Sequence, residues 1–268
     1  MTLPLIIEPA ELQAALNNPD LLILDLSRAE TYAQAHVPGA IYVDFKDTQL
    51  GVQPTPGALP PLAQLEMLFS RVGLTAEKHV VVYDDEGSGW AGRLIWIFDM
   101  IGHTRYSCLN GGIHAWLAEQ MPIEKSSPTV VPSDYKIAQL HPEFAMQLDD
   151  IQARLGTDLQ IWDARSAAEY KGEKVIGKHG GHIPGAKNYE WTRGMDNTRQ
   201  LRIKPKDVLI AELNAAGIAL DKETVTHCQT HHRSGYTYLL GKHLGMQIKG
   251  FPGSWAEWGS SDSTPKEI

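Results

Sequence analysis

The chain has 268 residues, 43% of them hydrophobic, with a formal net charge of −8 and two cysteines. That length and apolar content suit two globular cores, while the acidic balance argues against nucleic acid or an anionic membrane as a partner. Two cysteines far apart and in unlike contexts offer no disulfide framework and fit a reducing compartment, so a cytoplasmic location is expected.

The opening stretch "MTLPLIIEPAELQAAL" has no basic leader, no long apolar run and no small-residue cleavage site, so no signal peptide is read. No segment approaches the roughly 18 apolar residues of a membrane span. In chain order, "LLILDL" (21–26) and "HVVVYD" (79–84) are short β-rich runs that stop at polar residues, as strands buried on both faces do. "RLIWIFDMIG" (93–102) then reads as a helix with a glycine suited to its C-cap. The stretch "EKSSPTVVPSDY" (124–135) is rich in Ser and Pro and reads as a linker. After it, "LQIWDA" (159–164) and "TVTHC" (224–228) read as strands, and "GYTYLLGKHLG" (235–245) as a second Gly-capped helix.

These elements repeat. Asp25 falls on Asp163, Tyr32 on Tyr170, and His36-Val37-Pro38-Gly39-Ala40 on His182-Ile183-Pro184-Gly185-Ala186, with an insertion around 172–180 in the second copy. "NGGIHAW" (110–116) likewise answers "FPGSWAEW" (251–258). Strand and helix alternate in both copies, which predicts an α/β fold with one parallel sheet flanked by helices per half. The expected partition is a domain over 1–124, a linker over 125–140 and a second domain over 141–268. His36 and His182 recur in both halves, which favours a fold-building role for them.

The chemistry concentrates in "HCQTHHRSG" (227–235). In a parallel sheet, ligands bind beyond the carboxyl ends of strands, where loops lead into helix N-termini. Cys228 sits there, with Ser234 expected as the N-cap of the following helix. Unpaired N–H groups of that helix and of the loop should converge on the sulfur and on an anion above it. From Thr224 to Gly250 there is no Asp or Glu, whereas His227, His231, His232, Arg233, Lys242, His243 and Lys249 are all present. Such a field favours the thiolate, so Cys228 should titrate below the roughly 8.5 of a free cysteine. Cys108, in "RYSCLNGG", lacks a basic loop and reads as core filler.

The cradle admits two chemistries. Cysteine phosphatases place five residues between Cys and Arg; here only Gln229, Thr230, His231 and His232 separate Cys228 from Arg233. The tighter ring suits one extra sulfur atom better than a tetrahedral phosphate. A metal site built from Cys228, His231 and His232 lacks an evident fourth ligand, and adjacent side chains of a tight loop rarely converge. The glycines of "GKHGGHIPG" lack the strand-to-helix setting of a dinucleotide fingerprint, so no cofactor is expected.

The tandem halves, the paired "HVPGA" and "HIPGA" segments, "WDARSAAEY", the loop from Cys228 to Arg233 and "PGSWAEW" together resemble the rhodanese family of sulfurtransferases over nearly the whole chain. The loop "HCQTHHRSG" is similar to that of the bacterial two-domain thiosulfate branch and departs from the CRKGVT-like and CG[SA]GVT-like loops of other branches. The resemblance implies tandem rhodanese-like domains and transfer of sulfur from a small anionic donor such as thiosulfate, through a persulfide on Cys228, to cyanide or a thiol. A thiol-bearing protein is a further candidate acceptor. A persulfide carrier serving a protein partner, and a cysteine-dependent phosphatase or arsenate reductase, are the competing readings.

On this reading Cys228 is catalytic, and Arg165, Trp191, Gln229, Thr230, His231, His232 and Arg233 bind substrate. Three of these stay open from the residues alone, the first being Trp191, which resembles an aromatic beside the active loop or is a plain core or interface residue. Arg233 either orients the loop through carboxylates or faces the donor; Arg165 resembles a donor-binding arginine or pairs with an acid such as Glu169. Aligning Gly102 with Gly245 and counting back places Asp85 opposite Cys228 and Trp90 opposite Arg233. The first half is therefore expected to be an inactive copy, which by the resemblance forms one wall of the cleft.

Overall fold

A computed structural model of the chain describes residues 3–268. It resolves into two units. The first comprises the chain up to Thr48, Pro60–His141 and Asp196–Ile203; the second comprises Gln49–Leu59, Pro142–Met195 and Lys204–Ile268. The expected boundaries at 124 and 141 miss this exchange, because each unit takes in a short piece from the other half of the chain. Within the first unit, the exchanged Arg202 pairs with Glu8 at 3.0 Å and with Glu119, and Ile203 donates its N–H to Asn110 Oδ1 at 2.8 Å. Within the second, Gly57 lies so close to the Thr230 carbonyl that a Cβ would approach it to 2.2 Å. No side chain fits there.

The first unit is a five-stranded parallel sheet in the order β1-β5-β4-β2-β3. Its strands are β1 (Ile6–Ile7), β2 (Leu21–Asp25), β3 (Ile41–Tyr42), β4 (His79–Tyr83) and β5 (Tyr106–Leu109). Strand β4, HVVVY, is buried throughout, as a central strand covered on both faces must be. Helix α4 (Gly89–Met100) packs on β4 and β5. Burying each Val or Ile side chain of this core stabilises the unit by roughly 1.5–3 kcal/mol. Residues 125–141 form no regular helix or strand and are fastened to the helix Leu62–Arg71, for example by the Tyr135 N–H on Ser70 Oγ at 3.0 Å.

The second unit is a four-stranded parallel sheet in the order β11-β10-β6-β7. Here β6 is Gln160–Asp163, β7 is Lys187–Asn188, β10 is Thr224–His227 and β11 is Ile248–Gly250; β8 (Met195–Asp196) and β9 (Arg202–Ile203) form a separate two-stranded ribbon, of which β9 belongs to the first unit. Helix α9 (Arg233–His243) packs on β10 and β11. The counterpart of β1 has shrunk to a single parallel bridge, Ala145 to Gly250.

The repeated HxPGA segment builds the same device in both units. His36 stacks on Tyr32 at 3.9 Å and contacts its carbonyl through Nδ1 at 2.8 Å, while the Tyr32 hydroxyl donates to the Ala40 carbonyl at 2.9 Å. His182 and Tyr170 repeat this, with stacking at 3.7 Å and the Tyr170 hydroxyl on Ala186 O at 2.7 Å. Gly39 and Gly185 take φ of 75° and 77° in the turn, which a side chain would disfavour. The motif fixes the entry to β3 or β7, and through it the neighbouring strand that carries the Asp.

Candidate active site

In the second unit, β6 and β10 are in register with Asp163 opposite His227, and the chain leaves β10 through residues 228–232 to enter α9. The loop is sewn down from below. The Cys228 carbonyl accepts the Trp255 N–H at 3.0 Å, and the Gln229 carbonyl accepts the Ala256 N–H at 3.0 Å. Ser254 Oγ accepts the N–H of Cys228 at 3.3 Å and that of His231 at 3.0 Å, and donates to the Phe251 carbonyl at 2.9 Å. His231 takes φ of 57°, in the left-handed region, at the turn between β10 and α9. Cys228 is 1% exposed.

Burial alone would push this thiol up. The charge of Arg233, the hydroxyl and N–H of Ser234 and the N–H of Thr230 outweigh it, and Cys228 titrates below the ordinary thiol value. Arg233 forks onto Glu169 through two bonds of 2.7 and 2.8 Å. Burial opposes ionisation of Glu169, but Arg233 and Ser166 hold its carboxyl down to about 2. Glu169 is itself fixed by a capping box with Ser166 at the start of the short helix Ala167–Tyr170. Beneath the loop, burial pushes His227 down to about 4, so it lies as a neutral imidazole 3.6 Å from Asp163.

The expected site residues separate into three placements. Cys228, Gln229, Thr230, His231, His232 and Arg233 form one continuous loop, and Trp191 stands at its side with its ring edge-on to His232 at 5.5 Å. Gln229 reaches back to the Ile176 carbonyl at 3.3 Å, which brings the segment inserted around 172–180 beside the loop. Arg165 points elsewhere: it is 2% exposed, chelates both Asp163 oxygens, donates to the Gly181 carbonyl at 2.8 Å and lies 4.3 Å over the Trp255 ring. Its acid is Asp163; Glu169 pairs with Arg233. Ser234, expected as the N-cap, lies inside α9, where Arg233 is the first helical residue, and its hydroxyl meets His231 Nδ1 at 2.7 Å. Sequence reasoning also passed over Ser254, which is legible only as the Ser of "PGSW", and offered Glu169 only as one possible partner of Arg165, although "SAAE" has capping-box spacing. Among the described residues no three His, Cys, Asp or Glu side chains converge as a metal ion would require.

The first unit carries the matching loop, and its register corrects the alignment by one residue. Asp25 pairs with Tyr83 as Asp163 pairs with His227, and the Asp84 carbonyl accepts the Ile113 N–H as Cys228 accepts that of Trp255. Asp84, not Asp85, therefore stands opposite Cys228; counting back along the helix failed because the first loop holds one more residue. The Asp84 carboxylate accepts the N–H groups of Glu86, Ser88, Trp90 and Ala91 at 2.8–3.1 Å. Burial first, and the charge of Glu86 next, push it up to about 7 against those amides. Asp85 instead pairs with Arg28 at 2.8 Å and accepts the Thr31 hydroxyl at 2.6 Å. Cys108 is buried against Ser88 Oγ at 3.4 Å, and burial pushes its thiol up to about 12.

Comparison with known proteins gives the same two-part picture. The model of the rhodanese-like domain matches twice, over residues 8–119 and 147–261. The chain is similar to a thiosulfate sulfurtransferase of Azotobacter vinelandii, at 54% identity over 100% of this chain and 98% of the relative. It is similar to a thiosulfate sulfurtransferase of Pseudomonas aeruginosa at 50% identity, over 99% of this chain and 98% of the relative. Among solved structures it resembles SseA of Escherichia coli, a 3-mercaptopyruvate sulfotransferase with the rhodanese fold, with a TM-score of 0.84 and 25% identity over 94% of this chain and 99% of that one.

Proposed function

The chain belongs to the rhodanese family, with two rhodanese domains, and from that premise we propose that it is a thiosulfate sulfurtransferase that works through a persulfide on Cys228. One observation carries the reading: the buried thiol of Cys228 opens the strand-to-helix loop that ends at Arg233, and the charge of Arg233 with the groups of Ser234 and Thr230 lowers its pKa. Those groups suit a thiolate, and equally a sulfur chain that carries the negative charge one atom further out.

The Cys228 thiolate uses its electron pair to form a bond to the outer sulfur of thiosulfate. The S–S bond of thiosulfate breaks, and its pair leaves on sulfite, a stable dianion that needs no proton. In the second half-reaction the carbon of cyanide bonds to the outer sulfur of the persulfide. The Cys–S–S bond breaks, thiocyanate departs, and the thiolate returns. A thiolate acceptor attacks in the same way.

The chain then has to stabilise charge, not to deliver protons. Thr230 and Ser234 supply N–H groups to the sulfur, and Arg233 supplies the cation while Glu169 keeps it aimed. His232 and Trp191 border the loop and shape the approach of donor and acceptor. Gln229 anchors the loop rim on the Ile176 carbonyl. Arg165 serves as a strut that locks the end of β6, because its guanidinium is committed to Asp163 and Gly181.

The test is intact mass after exposure to thiosulfate. A gain of about 32 Da, one sulfur atom, that cyanide removes is expected of a reactive thiolate. The gain should vanish in Cys228→Ala and persist in Cys108→Ala. A chain that gains no sulfur but hydrolyses an aryl phosphate in a Cys228-dependent way would replace this reading with the phosphatase one.

A further inference from the structure

Ser254 is 0% exposed and stands in the left-handed region at φ 51°, where a residue with a Cβ is disfavoured. Its hydroxyl donates to the Phe251 carbonyl at 2.9 Å and accepts the N–H groups of Cys228 at 3.3 Å and of His231 at 3.0 Å. One hydrogen and two lone pairs are all that a serine hydroxyl has, so its capacity is used up here. The next residue, Trp255, gives its N–H to the Cys228 carbonyl at 3.0 Å. Both backbone polar groups of the reactive residue are thus held by consecutive residues at the start of the short helix Ser254–Trp258.

The first unit shows what this hydroxyl replaces. Its Ile113 N–H meets the Asp84 carbonyl as that of Trp255 meets Cys228, which sets Gly112 opposite Ser254, and Gly112 has nearly the same φ, 53°. Glycine adopts that conformation freely, and a Cβ there would come within 2.1 Å of the Asp84 carbonyl oxygen. The first loop manages without a hydroxyl because the Asp84 carboxylate gathers the N–H groups of Glu86, Ser88, Trp90 and Ala91 itself. A cysteine that must stay free to react cannot bind its own loop in that way. The second unit keeps, in a backbone conformation that suits glycine, a serine whose side chain gathers loop amides instead. Strain retained at such a place points to function.

We propose that Ser254 is a positioning residue for the sulfur transfer: its oxygen draws the N–H groups of Cys228 and His231 to one point, which fixes the Cys228 backbone and with it the direction in which the Cys228 side chain leaves the loop. The link to the reacting residue is direct, because one of the two bonds is to the Cys228 N–H itself. The other closes residues 228–231 into a turn of set width. Ser254 takes no part in making or breaking bonds to sulfur. A nucleophile already aligned with the bond it attacks reacts faster than one that must find the line, and a misplacement of about 1 Å costs about a hundredfold. The inference rests on the sulfurtransferase reading for the reaction that it serves, while the anchoring of the loop is measured without any sulfur donor.

Ser254→Gly gives the second unit the residue of the first, removes the hydroxyl and relieves the backbone. By NMR hydrogen exchange, the Cys228 and His231 amides of this variant should exchange about tenfold faster than in the wild type, with the amides of β10 unchanged. In single-turnover mass measurements the maximal rate of sulfur uptake should fall by about ten- to a hundredfold while the half-saturating thiosulfate concentration stays the same, as expected when alignment is lost and donor binding is not. A folded variant that takes up sulfur at the wild-type maximal rate overturns the inference, and so does a change confined to the half-saturating concentration. Ser254→Ala, which keeps the Cβ, carries the same expectations should the glycine variant fail to fold. In the wild type, Cys228 and His231 amides that exchange as fast as those of an open loop overturn the anchor at the outset. A wild-type chain that protects both amides but gains no sulfur sinks the proposed function and leaves the anchor standing.

Discussion

The loops that follow β4 and β10 are two versions of one cradle with opposite electrostatic outcomes. Each begins at the residue after a central strand and points backbone N–H groups at one side-chain atom group: the Asp84 carboxylate in the first unit, the Cys228 sulfur in the second. Both groups are buried, and burial pushes both pKa values up. In the second loop the charge of Arg233 reverses that push. In the first, Trp90 occupies the equivalent position and stacks on Phe45 at 4.3 Å, and the charge of Glu86 adds to the upward shift. Backbone amides alone do not make a buried group ionise easily. A cation in the helix's first turn decides the sign, and the first unit has filled its cradle with its own carboxylate where the second presents a nucleophile.

The comparison breaks most completely at Cys228. Cys228→Ser should abolish sulfur loading altogether, because a serine hydroxyl in the same cradle stays protonated; persistence of the mass gain would place the nucleophile elsewhere. Next in size is Arg233→Met, which should turn the second loop into a copy of the first. Its thiol midpoint should rise by about one to two pH units, and sulfur uptake near pH 6 should slow by about ten- to a hundredfold, read by alkylation and by single-turnover mass. Uptake that recovers when the pH is raised is the signature of this cause. Recovery would be absent if the arginine only gripped the donor.

Glu169→Gln tests the support of that cation. Removing the charge from one partner of the ion pair should cost about 2–3 kcal/mol at pH 7, measured by urea unfolding. Glu169 is held at about 2 against an ordinary 4.5, so its folded pKa is depressed and the stability it supplies is present above about pH 4.5 and lost as the pH falls toward 2. The gap between wild type and variant should therefore close in acid, and an equal gap at pH 3 and pH 7 would falsify the ion pair as its source. The smallest expected effect is that of Trp90→Arg, which gives the first loop the missing cation. The Asp84 carboxyl should then titrate about one unit below its present midpoint near 7, followed by its 13C resonance, with sulfur loading of the chain unchanged.

Much of this was legible in the residues. The buried runs of β2 and β4, the tandem arrangement, the glycines of HxPGA and the reactive loop all carry local signals: period, β-branching, turn chemistry and a stretch free of acids. The grouping of Gln229 through Arg233 around Cys228 followed from their adjacency in a short loop. The residues left open were the two arginines, whose acids adjacency alone does not choose. Arg165 and Arg233 were each compatible with any nearby carboxylate, and which took Asp163 and which Glu169 depended on the register of β6 with β10.

The amino-acid sequence by itself determined that this protein is built from two parallel α/β units and that one thiol, Cys228, stands in an electropositive strand-to-helix loop. Secondary-structure period and local charge act over a few residues, and that suffices for such conclusions. The tertiary structure alone decided that Asp84 and not Asp85 answers Cys228, that Ser254 holds the N–H groups of Cys228 and His231, that Arg165 is a buried strut, and that Gln49–Leu59 and Asp196–Ile203 change units. Each of those depends on strand register or on contacts between residues distant in the chain. Spacing along a single strand or loop carries no record of them, because a loop can gain one residue without disturbing the strands on either side.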